Sequence, residues 1–328
     1  MPVPAEDFWI PALAVRSGEP GFHTIVLPRP SAGPGEVLLR VLDVALDELD
    51  AQVAEGSLGV CPPGETELVV GHAAVAEVRG IGEGVVGLRV GDLVVPVPRR
   101  GPDVRGLRRL HGFATPWTVD EPEYLVRVPE SWLGYAVLLE PLARIERAVE
   151  ALDGGRWRGQ ALVVGSGAVA VVGALALRQA LPATPVALAA ERELPSEHVR
   201  LLRLAGVDIV AAGDGERPAV VVETTGRRSH AERAGSVVRP DGAVLLLGWP
   251  WEVAGGVDCT APGPDHFRRA LRRAERLDAR WPGALDRGIG ASYPLGIPPP
   301  DWTTDLDGRV VLLRVAPLAV EPPPSPTP

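Results

Sequence analysis

Hydrophobic residues fall into two textures along this chain. Between residue 9 and about residue 100, short apolar and β-branched segments ("WIPALAV", "GEVLLRVLDVAL", "LVVGHAAVAEVRGIG", "DLVVPVP") are broken by Gly and Pro. That rhythm predicts strands joined by tight turns, an all-β unit of barrel type. From about residue 134 the spacing changes. "GYAVLLEPLARIERAVEAL" has helical periodicity, and "GQALVVGSGAVAVVGALALRQAL" reads as a buried strand, a Gly-rich turn and a helix. The runs "PVALAA", "HVRLLRLAG", "DIVAA", "AVVVETTG" and "GAVLLLGWP" continue the alternation of strand and helix. Alternation of this kind predicts a parallel sheet with helices on both faces. The last apolar segment, "DLDGRVVLLRVAP", is strand-like and is expected to return to the first unit. The fold class is therefore α/β: a β-barrel unit over residues 1–145, completed by about 290–320, and a doubly wound parallel-sheet unit over 146–289. The proline-rich tail 321–328, "EPPPSPTP", cannot form helix or central strand and is expected to be disordered.

Length changes this picture little, since 328 residues suit two domains. Charge narrows the function classes. A net charge of −9 argues against nucleic acid, because phosphate binding needs a clustered cationic surface. The Arg-rich "RRALRRAERLDAR" has helical spacing and reads as a solvated helix face. Only Cys61 and Cys259 are present, so no cysteine-built structural zinc site is available. No basic n-region precedes an apolar stretch and no apolar run reaches membrane-spanning length, so a cytoplasmic protein without a membrane partner is expected.

The strongest chemical motif is "VVGSGAVAVVGALAL". Gly165 and Gly167 follow a β-run, and Ala168 and Val169 open a helix. Glycines there let main-chain N–H groups approach a pyrophosphate at the positive helix N-terminus. Ala170 replaces the third glycine of the usual dinucleotide fingerprint, at a position that governs packing. After the next strand, near Ala190, the sequence offers both Glu191 and Arg192. A carboxylate there would suit the ribose hydroxyl of NAD and an arginine the 2′-phosphate of NADP. The choice leans to NADP through Arg192.

These stretches, with "LHGFATPWTVDEPEYLVRVPES", "LLEPLARIERAVE", "VVVETTG" and "GAVLLLGWP", resemble the medium-chain dehydrogenase/reductases, the zinc alcohol dehydrogenase superfamily. Within it the pattern "DEPEYLVRVPES…LLEPLARIE" is similar to the prokaryotic glucose and sugar dehydrogenases. The resemblance implies a GroES-like catalytic domain, a Rossmann domain, and hydride transfer between NAD(P) and a sugar, polyol or related small alcohol or ketone. It extends the cofactor site to Thr224, Thr225 and Gly248. It aligns His72 with a zinc histidine and Glu140 with a further ligand position.

Departures from the family are equally specific. Asp47 stands where the zinc cysteine is usual, Ala73 where a glutamate follows the histidine, and Leu49 where a threonine relays the proton. Pro98 and Ala261 replace polar positions, and the cysteine-rich lobe gives way to "RRGPDVRGLRRLHGF". Asp47, His72 and Glu140 remain able to hold zinc, while a metal-free chain would make His72 a buried histidine or a general acid. With a metal bound, Glu48, Asp50 or a water would carry the proton relay, and without one Asp47 is the alternative to His72 as general acid. Besides the oxidoreductase reading, a metal-free quinone-reductase-like enzyme and a non-catalytic binding protein stay open. A shortened region before "APGPDHFRRAL" leaves monomer and homodimer both open.

Overall fold

The computed structural model describes residues 9–152, 159–211, 217–295 and 309–315. The proline-rich tail and part of the 290–320 segment lie outside these residues.

The first unit opens with β1 (Trp9–Arg16), β2 (Glu19–Pro28) and β3 (Val37–Leu46). Helix α1 (Glu48–Ala54) follows directly, inside a region whose apolar pattern predicts strands alone. Its cause is local. The Asp47 carboxylate accepts from Leu49 N–H at 2.8 Å, and the Asp50 carboxylate accepts from Asp47 N–H at 3.1 Å, a reciprocal cap. The acidic first turn, Glu48 and Asp50, also suits the helix dipole.

The chain continues through β4 (Glu67–Val69), β5 (Ala73–Ile81) and β6 (Leu93–Pro96). "LVVGHAAVAEVRGIG" is thus two strands, because Gly71 at φ +84° turns the chain between them. Strands β7 (Arg99–Arg100), β8 (Asp103–Arg105) and β9 (Arg109–Leu110) form a small sheet of their own within "RRGPDVRGLRRLHGF". β10 (Trp117–Asp120) and β11 (Leu125–Arg127) complete this run.

Strand β3 organises the barrel. One edge pairs antiparallel with β5 from Val37 to Ala45. The other edge is shared, with β10 taking Val37 to Arg40 and the C-terminal β19 (below) taking Asp43 to Leu46.

Helix α2 (Leu139–Leu152) leads out of the barrel, and the division expected near residue 145 falls inside it. The second unit comprises β12 (Ala161–Val164), α3 (Ala168–Ala180), β13 (Val186–Ala189), α4 (Ser196–Leu204), β14 (Val207–Val210), β15 (Val220–Glu223), α5 (Arg228–Val237), β16 (Ala243–Leu246), β17 (Gly256–Asp258) and α6 (Pro264–Arg280). Its sheet is wholly parallel in the order β14-β13-β12-β15-β16-β17. Strand order reverses at β12 and β15, so the crevice beyond their carboxyl ends is where such sheets take ligands. Finally β18 (Ile289–Pro294) and β19 (Val310–Arg314) rejoin the barrel sheet, β19 being the strand that the last apolar segment predicts.

The Arg-rich face of α6 is not all solvated: Arg273 is buried and ion-paired with Glu146 of α2, while Arg269 reaches Glu150 at 3.0 Å. Among the described residues no helix is long and apolar enough to cross a membrane.

Candidate active site

Three elements converge on His72. Gly71 lets the chain turn into it, since a side chain on Gly71 would meet Val44 Cγ1 at 2.5 Å, and Gly71 N–H is fixed by Asp50 Oδ1 at 3.0 Å. The imidazole is 1 % exposed. Its Nδ1 faces Asp50 Oδ2 at 3.3 Å, and its Nε2 faces Asp47 Oδ2 at 3.5 Å and Glu140 Oε2 at 3.7 Å. The structure thus brings Asp47, Asp50, His72 and Glu140 together. Glu48 points elsewhere.

A fifth member was not foreseen. Arg144 lies one helical turn after Glu140 on α2, so both side chains leave the same face. The guanidinium is 2 % exposed. Its Nη2 donates to Glu140 Oε2 at 2.6 Å and to Asp47 Oδ2 at 3.4 Å, and touches His72 Nε2 at 3.4 Å. Its Nη1 donates to the Leu247 carbonyl at 2.9 Å, just beyond β16. The sequence signal was available in "LLEPLARIE", as a basic residue four after Glu140.

Electrostatics follow from this packing. Burial favours neutral groups, but opposite charges outweigh it here. Burial would raise the Asp47 carboxyl, yet His72 and Arg144 hold it well below the usual carboxylate range. Burial would likewise lower His72, yet Asp47 and Asp50 keep it well above the usual histidine value. Against its own burial, Glu140 and Asp47 hold the Arg144 guanidinium in its charged form. Removing one partner from a buried ionic cluster costs roughly 3–5 kcal/mol, so these five groups stand or fall together.

Donors suited to a divalent ion are present: Asp47, Asp50 and His72 offer ligand atoms within 4.8 Å of one another. Ligands about 2.0–2.2 Å from a tetrahedral ion stand roughly 3.4 Å apart. His72 Nε2 lies at 3.5 Å and 3.7 Å from Asp47 and Glu140, close to that spacing. The centre of the three is nevertheless filled by Nη2 of Arg144. An ion would take that place only with Arg144 displaced.

The second half of the site lies at the switch point of the parallel sheet. Gly165, at φ +139°, ends β12, and Gly167 caps α3 ahead of Ala168 and Val169. A side chain on Gly165 would strike Thr224 Oγ1 at 2.3 Å. One on Gly167 would meet the Glu48 carboxyl carbon at 2.9 Å, so the Glu48 side chain lies over the helix N-terminus. Glu48 also pairs with Arg192 at 2.8 Å, across the two units. Burial lifts Glu48 to about 7, with Arg192 pulling the other way.

Ser166 Oγ accepts from the N–H groups of Glu191 and Arg192, at 2.8 Å and 2.9 Å, and fixes the turn after β13. Glu191 pairs with His230 at 2.8 Å beside a cavity of about 290 Å³ that Ala190 and Arg233 also line. Thr224 Oγ1 donates to the Val164 carbonyl, and Thr225 Oγ1 donates to the buried Glu223. Gly248 packs on Gly226, a side chain there meeting Gly226 N at 2.1 Å. Sequence reading missed Glu223, His230 and Arg233, whose meeting depends on which strand ends adjoin in the sheet.

Between the halves runs a narrow cleft of about 20 Å³. Leu49, His72, Arg108, Glu140 and Arg144 line it from one side, and Gly248, Trp249, Pro250 and Thr260 from the other.

Comparison with known proteins fits this architecture. The profile of the alcohol dehydrogenase GroES-like domain matches residues 33–130. Glucose 1-dehydrogenase of Thermoproteus tenax is 34% identical over 247 residues, which span 68% of this chain and 70% of that protein. Glucose 1-dehydrogenase 2 of Vulcanisaeta moutnovskia is 32% identical over 303 residues, 78% of this chain and 86% of its own. Among solved structures, Haloferax mediterranei glucose dehydrogenase in complex with NADP, Zn and gluconolactone superposes with a TM-score of 0.77 at 23% identity, covering 94% of this chain and 100% of that one. At that identity the likeness is one of fold.

Proposed function

The chain belongs to the medium-chain dehydrogenase/reductase superfamily of the zinc alcohol dehydrogenases, close to the glucose dehydrogenases, and on that premise we propose that it is an NAD(P)-dependent oxidoreductase. Its reaction moves hydride between the nicotinamide and a sugar, polyol or related small alcohol or ketone. One observation carries the reading: the cleft takes one wall from the His72 cluster and the other from the nucleotide-binding sheet, through Gly248, Trp249 and Pro250. A small molecule seated there meets ionic groups and a coenzyme together. Trp249 offers an apolar face, while Arg108, Thr260 and Glu140 offer polar ones, a lining suited to a polyhydroxylated substrate.

A nicotinamide coenzyme bound at the turn of Gly165 and Gly167 would accept hydride from the carbinol carbon in the oxidative direction, while the hydroxyl loses its proton and becomes a carbonyl. The chain's task is to orient the alcohol and handle that proton. His72 lines the cleft, and its Nδ1 faces Asp50 Oδ2 at 3.3 Å, a charge pairing that helps hold the ring in place. Asp50 is fully buried and acts through His72, whereas Glu48 stands over the glycine turn, on the path of the coenzyme. Asp47 and Glu140 hold Arg144 at the cleft wall. A metal-free reductase of quinone-reductase type is the second reading, favoured by the position of Arg144.

For the coenzyme we favour NADP. Glu191, the carboxylate that would take the ribose of NAD, is already paired with His230, and Arg227, Arg192 and Arg233 all act on it. A 2′-phosphate suits that cationic setting. We place the protein in the cytoplasm, and its assembly as monomer or homodimer is read by light scattering.

The decisive experiment titrates the protein with NADPH and NADH by nicotinamide fluorescence, then assays aldoses, polyols and their ketones. NADPH should bind more tightly, by on the order of tenfold, and support hydride transfer. Failure to bind either nucleotide would sink the proposal.

A further inference from the structure

We propose that Arg144 is the resident cation of this active site, its guanidinium holding the centre of Asp47, His72 and Glu140 in place of a metal ion and facing the substrate oxygen. The inference rests on the oxidoreductase reading of the cleft and deepens it.

Geometry is the first support. One nitrogen, Nη2, lies within 3.4 Å of an atom from each of the three residues, the point on which those three side chains converge. A surface arginine resting against carboxylates would not be held from behind. Arg144 is, by the Leu247 carbonyl at 2.9 Å, so the guanidinium is anchored to the nucleotide-binding sheet as well as to the barrel. Second, Arg144 lines the cleft together with His72 and Glu140, and its Nε–H has no hydrogen-bond acceptor among the described residues. A buried donor left unmet is costly, so the guanidinium is held here by its carboxylate and carbonyl partners and not by full satisfaction of its own N–H groups.

Chemistry agrees with that placement. Transfer of hydride to a carbonyl carbon leaves an alkoxide that must be stabilised and protonated, and the reverse reaction needs the same charge developed at the same oxygen. A fixed guanidinium supplies positive charge at that point, with a pKa too high to be lost at working pH. Hydride passes to the carbon from NAD(P)H, and the oxygen receives one proton from the His72 side of the cleft, so atoms and electrons balance. The three acidic and basic side chains that would bind a metal serve here to position the arginine.

The test reads metal content first, without substrate, so that it is independent of whether the oxidoreductase reading holds. Wild-type protein is dialysed against zinc or cobalt, desalted and analysed by elemental analysis and visible absorption. It should retain well under one metal per chain, and its activity should withstand chelation. Arg144→Ala opens the centre and should take up about one zinc or cobalt per chain, with a rise in melting temperature on loading that is absent from the Arg144→Ala/His72→Ala double variant. If Arg144→Ala does not fold, Arg144→Gln, uncharged and too short to bring a nitrogen to the centre, leaves a polar side chain on the helix and answers the same question. Unloaded Arg144→Gln should lose kcat by on the order of a hundredfold, and Arg144→Lys should recover part of it. One tightly held zinc per wild-type chain, or a folded Arg144→Ala or Arg144→Gln that takes up no metal, would overturn the proposal.

Discussion

At the residue scale, Glu223 shows how much stability a single buried acid can govern. It ends β15 with no exposed surface. Burial lifts its carboxyl to about 7, against the pull of Thr225 and Gly226, whose N–H and O–H groups donate to it. An acid whose pKa is higher in the folded chain holds its proton longer there than in the unfolded chain. Its contribution is therefore most favourable below the unfolded value, roughly pH 4.5, and declines as pH rises to about 7. A shift of that size corresponds to roughly 3 kcal/mol across the window. Glu223→Gln keeps an oxygen for the Thr225 donors and removes the titration. The stability difference between variant and wild type, from urea midpoints at several pH values, should widen in the variant's favour between pH 4.5 and 7 and then level off. A difference that stays flat with pH would mean that Glu223 ionises as freely in the folded chain as outside it.

At the scale of elements, α1 joins the two halves of the site. Its cap, Asp47, reaches Arg144. Leu49 packs where a side chain on Gly226 would meet its Cδ2 at 2.4 Å, and Gln52 Nε2 donates to the Thr225 carbonyl at 2.6 Å. Glu48 reaches across to Gly167 and Arg192. On the proposed binding mode, a carboxylate at the N-terminus of α3 would stand where the pyrophosphate goes and repel it. Glu48→Gln should therefore tighten NADPH binding on the order of fivefold at pH 8, where the wild-type side chain is charged. At pH 6 the wild-type carboxyl is largely protonated, given its position near 7, and the two proteins should converge. Fluorescence titrations at both pH values read this directly, and equal affinities at pH 8 would refute it. What the sequence made legible follows the same division. Gly165 and Gly167 could be named from the strand–turn–helix motif around them, His72 and Glu140 only from the resemblance to the family. The i, i+4 spacing of Glu140 and Arg144 was visible in the sequence, but the ties of Arg144 to Asp47, His72 and Leu247, and of Glu48 to Gly167, join different elements. Only the packed fold brings those together.

For the whole molecule, alternation of strand and helix was enough to foresee a parallel sheet, and Gly- and Pro-punctuated strands a barrel, since both patterns are set by which faces are buried. Less visible was how far the two units share a core. One apolar cluster runs from Ala45, Val75 and Val95 of the barrel through Leu138 and Leu142 to Val163 and Val222 of the parallel sheet. Helix α2 lies across the join without a break, and Gln52 and Arg144 add polar ties to Thr225 and Leu247. Units joined by a thin polar interface melt separately, but a continuous buried core makes unfolding of either half expose the other. Calorimetry should show a single endotherm. A ligand that binds only the folded state stabilises by about 2.7 kcal/mol at a hundred times its Kd. NADPH at that excess should therefore shift the whole endotherm upward by a few degrees, barrel included, although the coenzyme is expected to touch mainly the parallel sheet. Two endotherms, with only one responding to NADPH, would show that the shared core does not couple the halves and that α1 and α2 act as hinges between independent bodies.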